Sequence, residues 1–176
     1  MSNTKKFTSV IFSSSLLLDK VRLTPVPFTL KDKIMALEHT FAMIKPDAIA
    51  AKNSGKIIDM IEQHGFNILR MHKVHLTKEG AEAFYAVHKE KPFFNELVNF
   101  VISGPVIIMA LERDNAIKAW RDLMGSTNPA QAAEGTVRKL YGTSIGPNAV
   151  HGSDAPETAA YELGLFFGGP AQEKQQ

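Results

Sequence analysis

Val106-Ile107-Ile108-Met109-Ala110-Leu111 is an unbroken apolar run of strand length, set between the turn residues Ser103-Gly104-Pro105 and the charged pair Glu112-Arg113. Such a run reads as a strand. On its C-terminal side, Asn115 to Met124 has a helical pattern, Ala149 to His151 suits a short strand, and Ala155 to Phe166 is the last long helix. On its N-terminal side, Pro92 to Ile102 reads as a helix ending at Gly104, and Thr77 to Val87 as another, opened by a threonine with Glu79 early in it. Asn67 to Leu76 alternates as a strand should. Lys56 to His64 places Ile57, Ile58 and Ile61 at helical spacing before Gly65, and Thr40 to Ile44 suits a short buried strand. The order is βαβ followed by βαβ with extra helices inserted, the alternation of an α/β (α+β) domain.

The chemistry concentrates in Asn148-Ala149-Val150-His151-Gly152-Ser153-Asp154, where an imidazole stands between small residues and a helix start. Ser153 and Asp154 are capping residue types, Pro156 fits a first turn, and Glu157 follows Asp154 by three as in a capping box. The free amides and the positive end of the macrodipole of such a helix stabilise an anion, and phosphate is the obvious one. Arg121, Thr127, Arg138 and Asn148 lie within a few tens of residues of it, on and between helical patterns broken by Gly125-Ser126-Thr127-Asn128-Pro129 and Gly135-Thr136. Two guanidiniums suit a polyphosphate, because each presents a planar fork to two oxygens at once. A neutral imidazole has a free lone pair near neutral pH and attacks phosphorus without a strong base. A helix beginning at Ala155 puts Glu162 two turns in, where it can help to orient the ring.

Other chemistries fit poorly. His151, Ser153 and Asp154 are crowded into four residues and lack a nucleophile elbow, unlike a hydrolase triad. Gly55-Lys56 is followed by Ile57 and has no earlier glycine, so it is not a Walker loop. His39, His64, His72, His75 and His88 form no zinc-like pattern, and the chain has no cysteine for a disulfide or thiolate site.

Five stretches in order resemble the nucleoside diphosphate kinase family: Ala42-Met43-Ile44-Lys45-Pro46-Asp47; Phe84-Tyr85-Ala86-Val87-His88 with Lys91-Pro92-Phe93-Phe94; Ser103-Gly104-Pro105; Gly125 to Pro129; and the His151 segment. With the alternation of elements, the resemblance implies a ferredoxin-like, four-stranded antiparallel sheet covered by helices. It implies transfer of the γ-phosphoryl group of a nucleoside triphosphate to a nucleoside diphosphate, in two ping-pong steps through a phosphohistidine at His151, maintaining nucleoside and deoxynucleoside triphosphate pools. On the same ground Glu162 orients His151 with Ser153 nearby, and Arg121, Thr127 and Arg138 contact phosphates. Lys45 and Asn148 reach the sugar and phosphates, Phe93 stacks on the base, and Phe94 is a core residue. Tyr85 either donates a hydrogen bond near His151 or packs. The family suggests Nδ1 as the attacking nitrogen and assembly as a homo-oligomer, tetramer or hexamer. Mg²⁺ is expected to arrive on the nucleotide phosphates, since no carboxylate cluster has metal-ligand spacing. Tyr161 and Leu140 stand where basic and acidic residues, respectively, are common in the family.

With 176 residues, 44% of them hydrophobic and 22% charged, the chain is long enough for one well-packed domain. Its overall charge of +2 hides a contrast, because residues 1–34 hold six Lys and Arg against two Asp, a net +4 that leaves −2 for the rest. The basic pI of about 8.8 is thus a property of that segment and a poor sign of nucleic-acid binding. Residues 1–34 read as an extension, disordered or a mis-assigned start, ahead of a kinase domain over 35–176. The apolar run Phe7 to Leu18 is too short and polar to span a membrane, and organelle targeting by this basic, serine-bearing segment is a weaker reading than a cytoplasmic location. The competing class is a nucleotide- or nucleic-acid-binding regulator on the same fold, against which the nucleophile and its cations weigh.

Overall fold

The apolar runs of the two central strands have their explanation in two cores, one on each face of a single sheet. In the computed structural model, which describes residues 37–168, β1 (Leu37–Ile44) and β3 (Val106–Asp114) pair along their whole length, with Thr40 opposite Leu111. Ala42, Ile44, Met109 and Leu111 turn to one face, and Phe41, Met43, Ile108 and Ala110 to the other. A strand buried on both faces has no polar side to alternate with, so its sequence reads as continuous apolar residues.

β2 (Asn67–Val74) and β4 (Val150–Gly152) complete the sheet in the order β2-β3-β1-β4, with every neighbouring pair antiparallel. This is the ferredoxin-like arrangement. The first face is covered by α2 (Ser54–Gln63), through Ile57 and Ile61, and by α5 (Ala116–Met124), through Trp120, Leu123 and Met124. The second is covered by α3 (Lys78–Phe84), α4 (Phe94–Val101) and α7 (Pro156–Phe167), with Phe84, Val98, Val101 and Leu163 in the core. Burial of one such side chain contributes about 2 kcal/mol.

Local signals set most of the boundaries. Thr77 caps α3, its hydroxyl accepting from the Gly80 N–H at 3.1 Å. The helix expected as far as Val87 stops at Phe84 and gives way to a single 3-10 turn over Ala86–His88. Only one half of the capping box expected of Asp154 and Glu157 forms, and one residue later: Pro156 opens α7 after Ala155, whose methyl cannot cap, and the Thr158 hydroxyl accepts from the N–H groups of Asp154 and Ala155. That hydroxyl lies 2.7 Å from the Asp154 carboxylate, so Asp154 still serves the helix start, through a side chain rather than a backbone amide. Ser153 does not cap at all. Two elements absent from the sequence reading, α1 (Pro46–Ala50) and α6 (Val137–Tyr141), have five residues each, too few for an apolar period to show. The extension assigned to residues 1–34 lies outside the described residues.

Candidate active site

The sheet ends β1 and β4 side by side, and the site is built where they meet. Met43 is opposite His151 in the register, and the chain leaves β1 through Lys45 into α1. Just before β4 the backbone makes a γ-turn, with Asn148 O accepting from Val150 N at 2.8 Å and Ala149 held at φ +70°. This is a left-handed conformation that an alanine adopts only against its preference. Both peptide groups of Ala149 are restrained: its N–H donates to Asp47 Oδ2 at 2.9 Å, and its carbonyl accepts from Lys45 N at 2.8 Å. The turn in this way presents the buried Asn148 side chain to two neighbours. Its Oδ1 accepts from Lys45 Nζ at 2.7 Å, and its Nδ2 donates to the Thr127 carbonyl at 3.2 Å.

Further along, in β4, the His151 ring is gripped from one edge. Nε2 lies 2.8 Å from Glu162 Oε1, while Glu162 Oε2 accepts from Ser153 Oγ at 2.7 Å. Ser153 Oγ in turn accepts from Phe41 N at 3.3 Å, so the hydroxyl hydrogen is committed to the carboxylate. A carboxylate can only accept, which puts the imidazole proton on Nε2 and leaves the lone pair on Nδ1. Phe84 packs edge-on against the ring at 4.9 Å, and the Trp120 indole N–H donates to the His151 carbonyl at 3.2 Å. Tyr85 is buried beside this group, and burial, then the nearby Glu162 charge, raises its hydroxyl pKa.

Among the described residues, neither Lys45, Arg121 nor Arg138 forms a salt bridge. Arg138 donates to the carbonyls of Gly125, at 2.8 Å, and Val150, at 3.2 Å, which fixes its guanidinium against β4. Burial, and after it the charge of Arg121, pulls its pKa down to about 10. Lys45 falls to about 8 through burial and then the charge of Arg138, against a smaller opposing pull from Asp47. The depressions reflect first the withdrawal of the positive charges from water and second their proximity to one another, and an anion placed beside them would offset both.

The structure thus brings together Lys45, Asn148, Arg138, His151 and Glu162, with Thr127 joined through its backbone. Arg121 projects from the last turn of α5, and its field reaches Arg138 and Asp154. It and Asp154 also line an open hollow of about 340 Å³ beside Glu38 and Lys118, whose lining includes neither His151 nor Lys45. Phe93 stands apart from the cluster, 46% exposed, its ring 5.9 Å from that of His88, whereas Phe94 packs on the second core. Asp47 and Trp120 carry contacts that sequence reading did not assign. The Pro46-Asp47 pair, a helix-start signal directly after a strand, is the one local hint of the former.

A ferredoxin-like domain whose sheet edge carries a carboxylate-held imidazole near a buried lysine, a half-buried arginine and an exposed one has the features of an enzyme that handles phosphate groups. The family model described as nucleoside diphosphate kinase matches residues 38–171. A nucleoside diphosphate kinase of Geotalea daltonii is 60% identical over 131 residues, covering 74% of this chain and 96% of that protein. One from Bradyrhizobium diazoefficiens is 56% identical over 135 residues, covering 77% of this chain and 96% of its own length. Among solved structures, the Aquifex aeolicus nucleoside diphosphate kinase superposes with a TM-score of 0.74 at 44% identity, over 75% of this chain and 96% of that one. The Halobacterium salinarum enzyme, in complex with CDP, gives 0.70 at 40% identity, over 74% and 87%. The chain belongs to the nucleoside diphosphate kinase family. It is a phosphotransferase that acts on nucleotides.

Proposed function

We propose that the enzyme works by ping-pong transfer through a phosphohistidine on His151, and so supplies nucleoside and deoxynucleoside triphosphates from their diphosphates. The observation that carries this reading is the Glu162–Nε2 contact at 2.8 Å, which leaves Nδ1 as the ring's nucleophile. In the first half-reaction the Nδ1 lone pair forms a bond to the γ-phosphorus as the bond from phosphorus to the β–γ bridging oxygen breaks, and the diphosphate leaves with that electron pair. In the second, a terminal oxygen of a different nucleoside diphosphate attacks the same phosphorus and returns the electron pair to Nδ1. Throughout, Glu162 balances the positive charge that the ring gains.

Arg138, Arg121 and Thr127 are assigned to the phosphates, and Lys45 and Asn148 to sugar and phosphates. Phe93, half exposed on the hairpin between α3 and α4, is assigned to stack on the base. The CDP bound to the Halobacterium relative is consistent with a nucleoside diphosphate as acceptor. No group of three or more metal-ligating side chains exists among the described residues. In this reading a Mg²⁺ ion would arrive on the nucleotide's own phosphate oxygens, neutralising their charge, while the chain binds the complex through its cations. The working form is a homo-oligomer of four or six chains in the cytoplasm, and no described helix is long and apolar enough to cross a membrane.

The decisive experiment is brief exposure of the purified enzyme to γ-labelled ATP. Label stable to base and labile to acid is expected on the wild type, chased by a second nucleoside diphosphate, and none on His151→Ala. Full labelling of that variant would remove His151 from the reaction.

A further inference from the structure

Trp120 is the chain's single tryptophan and the largest of the fully buried side chains, set on α5 immediately before Arg121. Its indole N–H donates to the carbonyl of His151 at 3.2 Å. The strand runs directly against the ring, since a Cβ on Gly152 would lie 2.3 Å from both Cδ1 and Nε1. Phe66 closes off the indole edge-on, with ring centroids 6.2 Å apart. β4 has only three residues, lies at the edge of the sheet and pairs with β1 alone, so its own ladder restrains it weakly.

We infer that Trp120 is a positioning residue for phosphoryl transfer, tying the backbone of His151 to α5 so that the nucleophile and Arg121 keep one spacing through both half-reactions. Glu162 fixes the imidazole at Nε2, and Trp120 fixes the peptide from which that imidazole hangs. The indole is fully buried and close-packed between Gly152 and Phe66, and a close-packed interior yields little to displacement, so the link between α5 and β4 is stiff. Stiffness matters here because a misplacement of about 1 Å in a reacting group can cost about a hundredfold in rate. The inference rests on the phosphohistidine reading above.

Because the chain has one tryptophan, biosynthetic replacement by 3-benzothienylalanine alters this residue alone, keeping the bicycle and exchanging the N–H for sulfur. Rapid-quench labelling with γ-labelled ATP then yields two quantities for the full-length enzyme: the fraction of sites that label and the rate constant per labelling site. The rate per site should fall about tenfold at saturating ATP, the kinetic equivalent of one hydrogen bond, with KM within about twofold. Trp120→Phe should behave in the same direction. A rate per site equal to wild type overturns the inference, whether or not the labelled fraction or the thermal midpoint drops, because a purely structural tryptophan changes only those. So does a change confined to KM. If the unaltered enzyme forms no phosphohistidine, the proposed function falls and this inference with it; wild-type labelling with an unaffected variant overturns the inference alone.

Discussion

Glu162→Gln isolates the charge of the carboxylate from its shape. Glu162 is 7% exposed and touches two partners, His151 Nε2 at 2.8 Å and Ser153 Oγ at 2.7 Å. With its amide oxygen turned to the imidazole, glutamine keeps an acceptor there and places its NH₂ beside a hydroxyl that already accepts from Phe41 N. Packing is retained, and what is lost is the ionised acceptor. A hydrogen bond to a charged group contributes about 1.5–3 kcal/mol against about 0.5–1.5 for a neutral one, a difference on the order of 1–1.5 kcal/mol. That stabilisation is strongest when the ring becomes cationic in the transition state, so it belongs to kcat. At about 1.4 kcal/mol per decade the turnover should fall about tenfold, with nucleotide KM nearly unchanged. Steady-state rates with ATP and a second diphosphate, together with the single-turnover rate of phosphohistidine formation, measure both halves. An unchanged kcat, or a loss that lies wholly in KM, refutes the idea that Glu162 acts on the reacting imidazole.

Lys45, with a pKa of about 8 in the fold against an ordinary 10.5, should impose a fall in kcat/KM as pH rises through about 8, and Lys45→Met should lack that limb. The sign for stability is opposite: between about 8 and 10.5 the folded protein binds fewer protons at this site than the unfolded chain, so Lys45's own contribution to the thermal midpoint rises with pH. Ala149→Gly, at φ +70°, should stabilise the protein by about 0.5–1 kcal/mol net of the glycine's greater chain entropy, and calorimetry showing a lower midpoint would argue against strain in the γ-turn. ATP, GTP, CTP, UTP and their deoxy forms should all serve as donors, because a stacking ring at Phe93 sees only a π-face; rates spread over more than about a thousandfold would reveal a base-reading pocket. Donors lacking the 3′-hydroxyl should suffer more than those lacking the 2′-hydroxyl.

The strands and the main helices were legible in the sequence by itself, because periodicity is a local property, while their arrangement as an antiparallel ferredoxin-like sheet came with the family resemblance. Val106 to Leu111 and Thr40 to Ile44 are apolar without alternation for the same reason that they are central strands, and Ile57 and Ile61 fall one turn apart because one helix face is buried. The residues of the His151 segment were legible as chemistry too, since an imidazole next to a helix start is a local arrangement, and Glu162, nine residues after Ser153 and eleven after His151, comes back beside both because helix pitch places it two turns into α7. Short elements escaped: a helix of five residues, such as α1 or α6, completes too few turns to show a period. The contacts that give the site its electrostatics were decided only by tertiary structure. Lys45 and Asn148 are 103 residues apart and Ala149 and Asp47 are 102 apart, and neither pair can be inferred from spacing. Nor does sequence distinguish a tryptophan that only fills a core from one whose N–H also donates to the His151 carbonyl. Burial is what sets these cations apart: removal from water, and after it the charge of Arg138 on Lys45 and of Arg121 on Arg138, lowers their basicity, which the lysine and arginine letters in a sequence do not express.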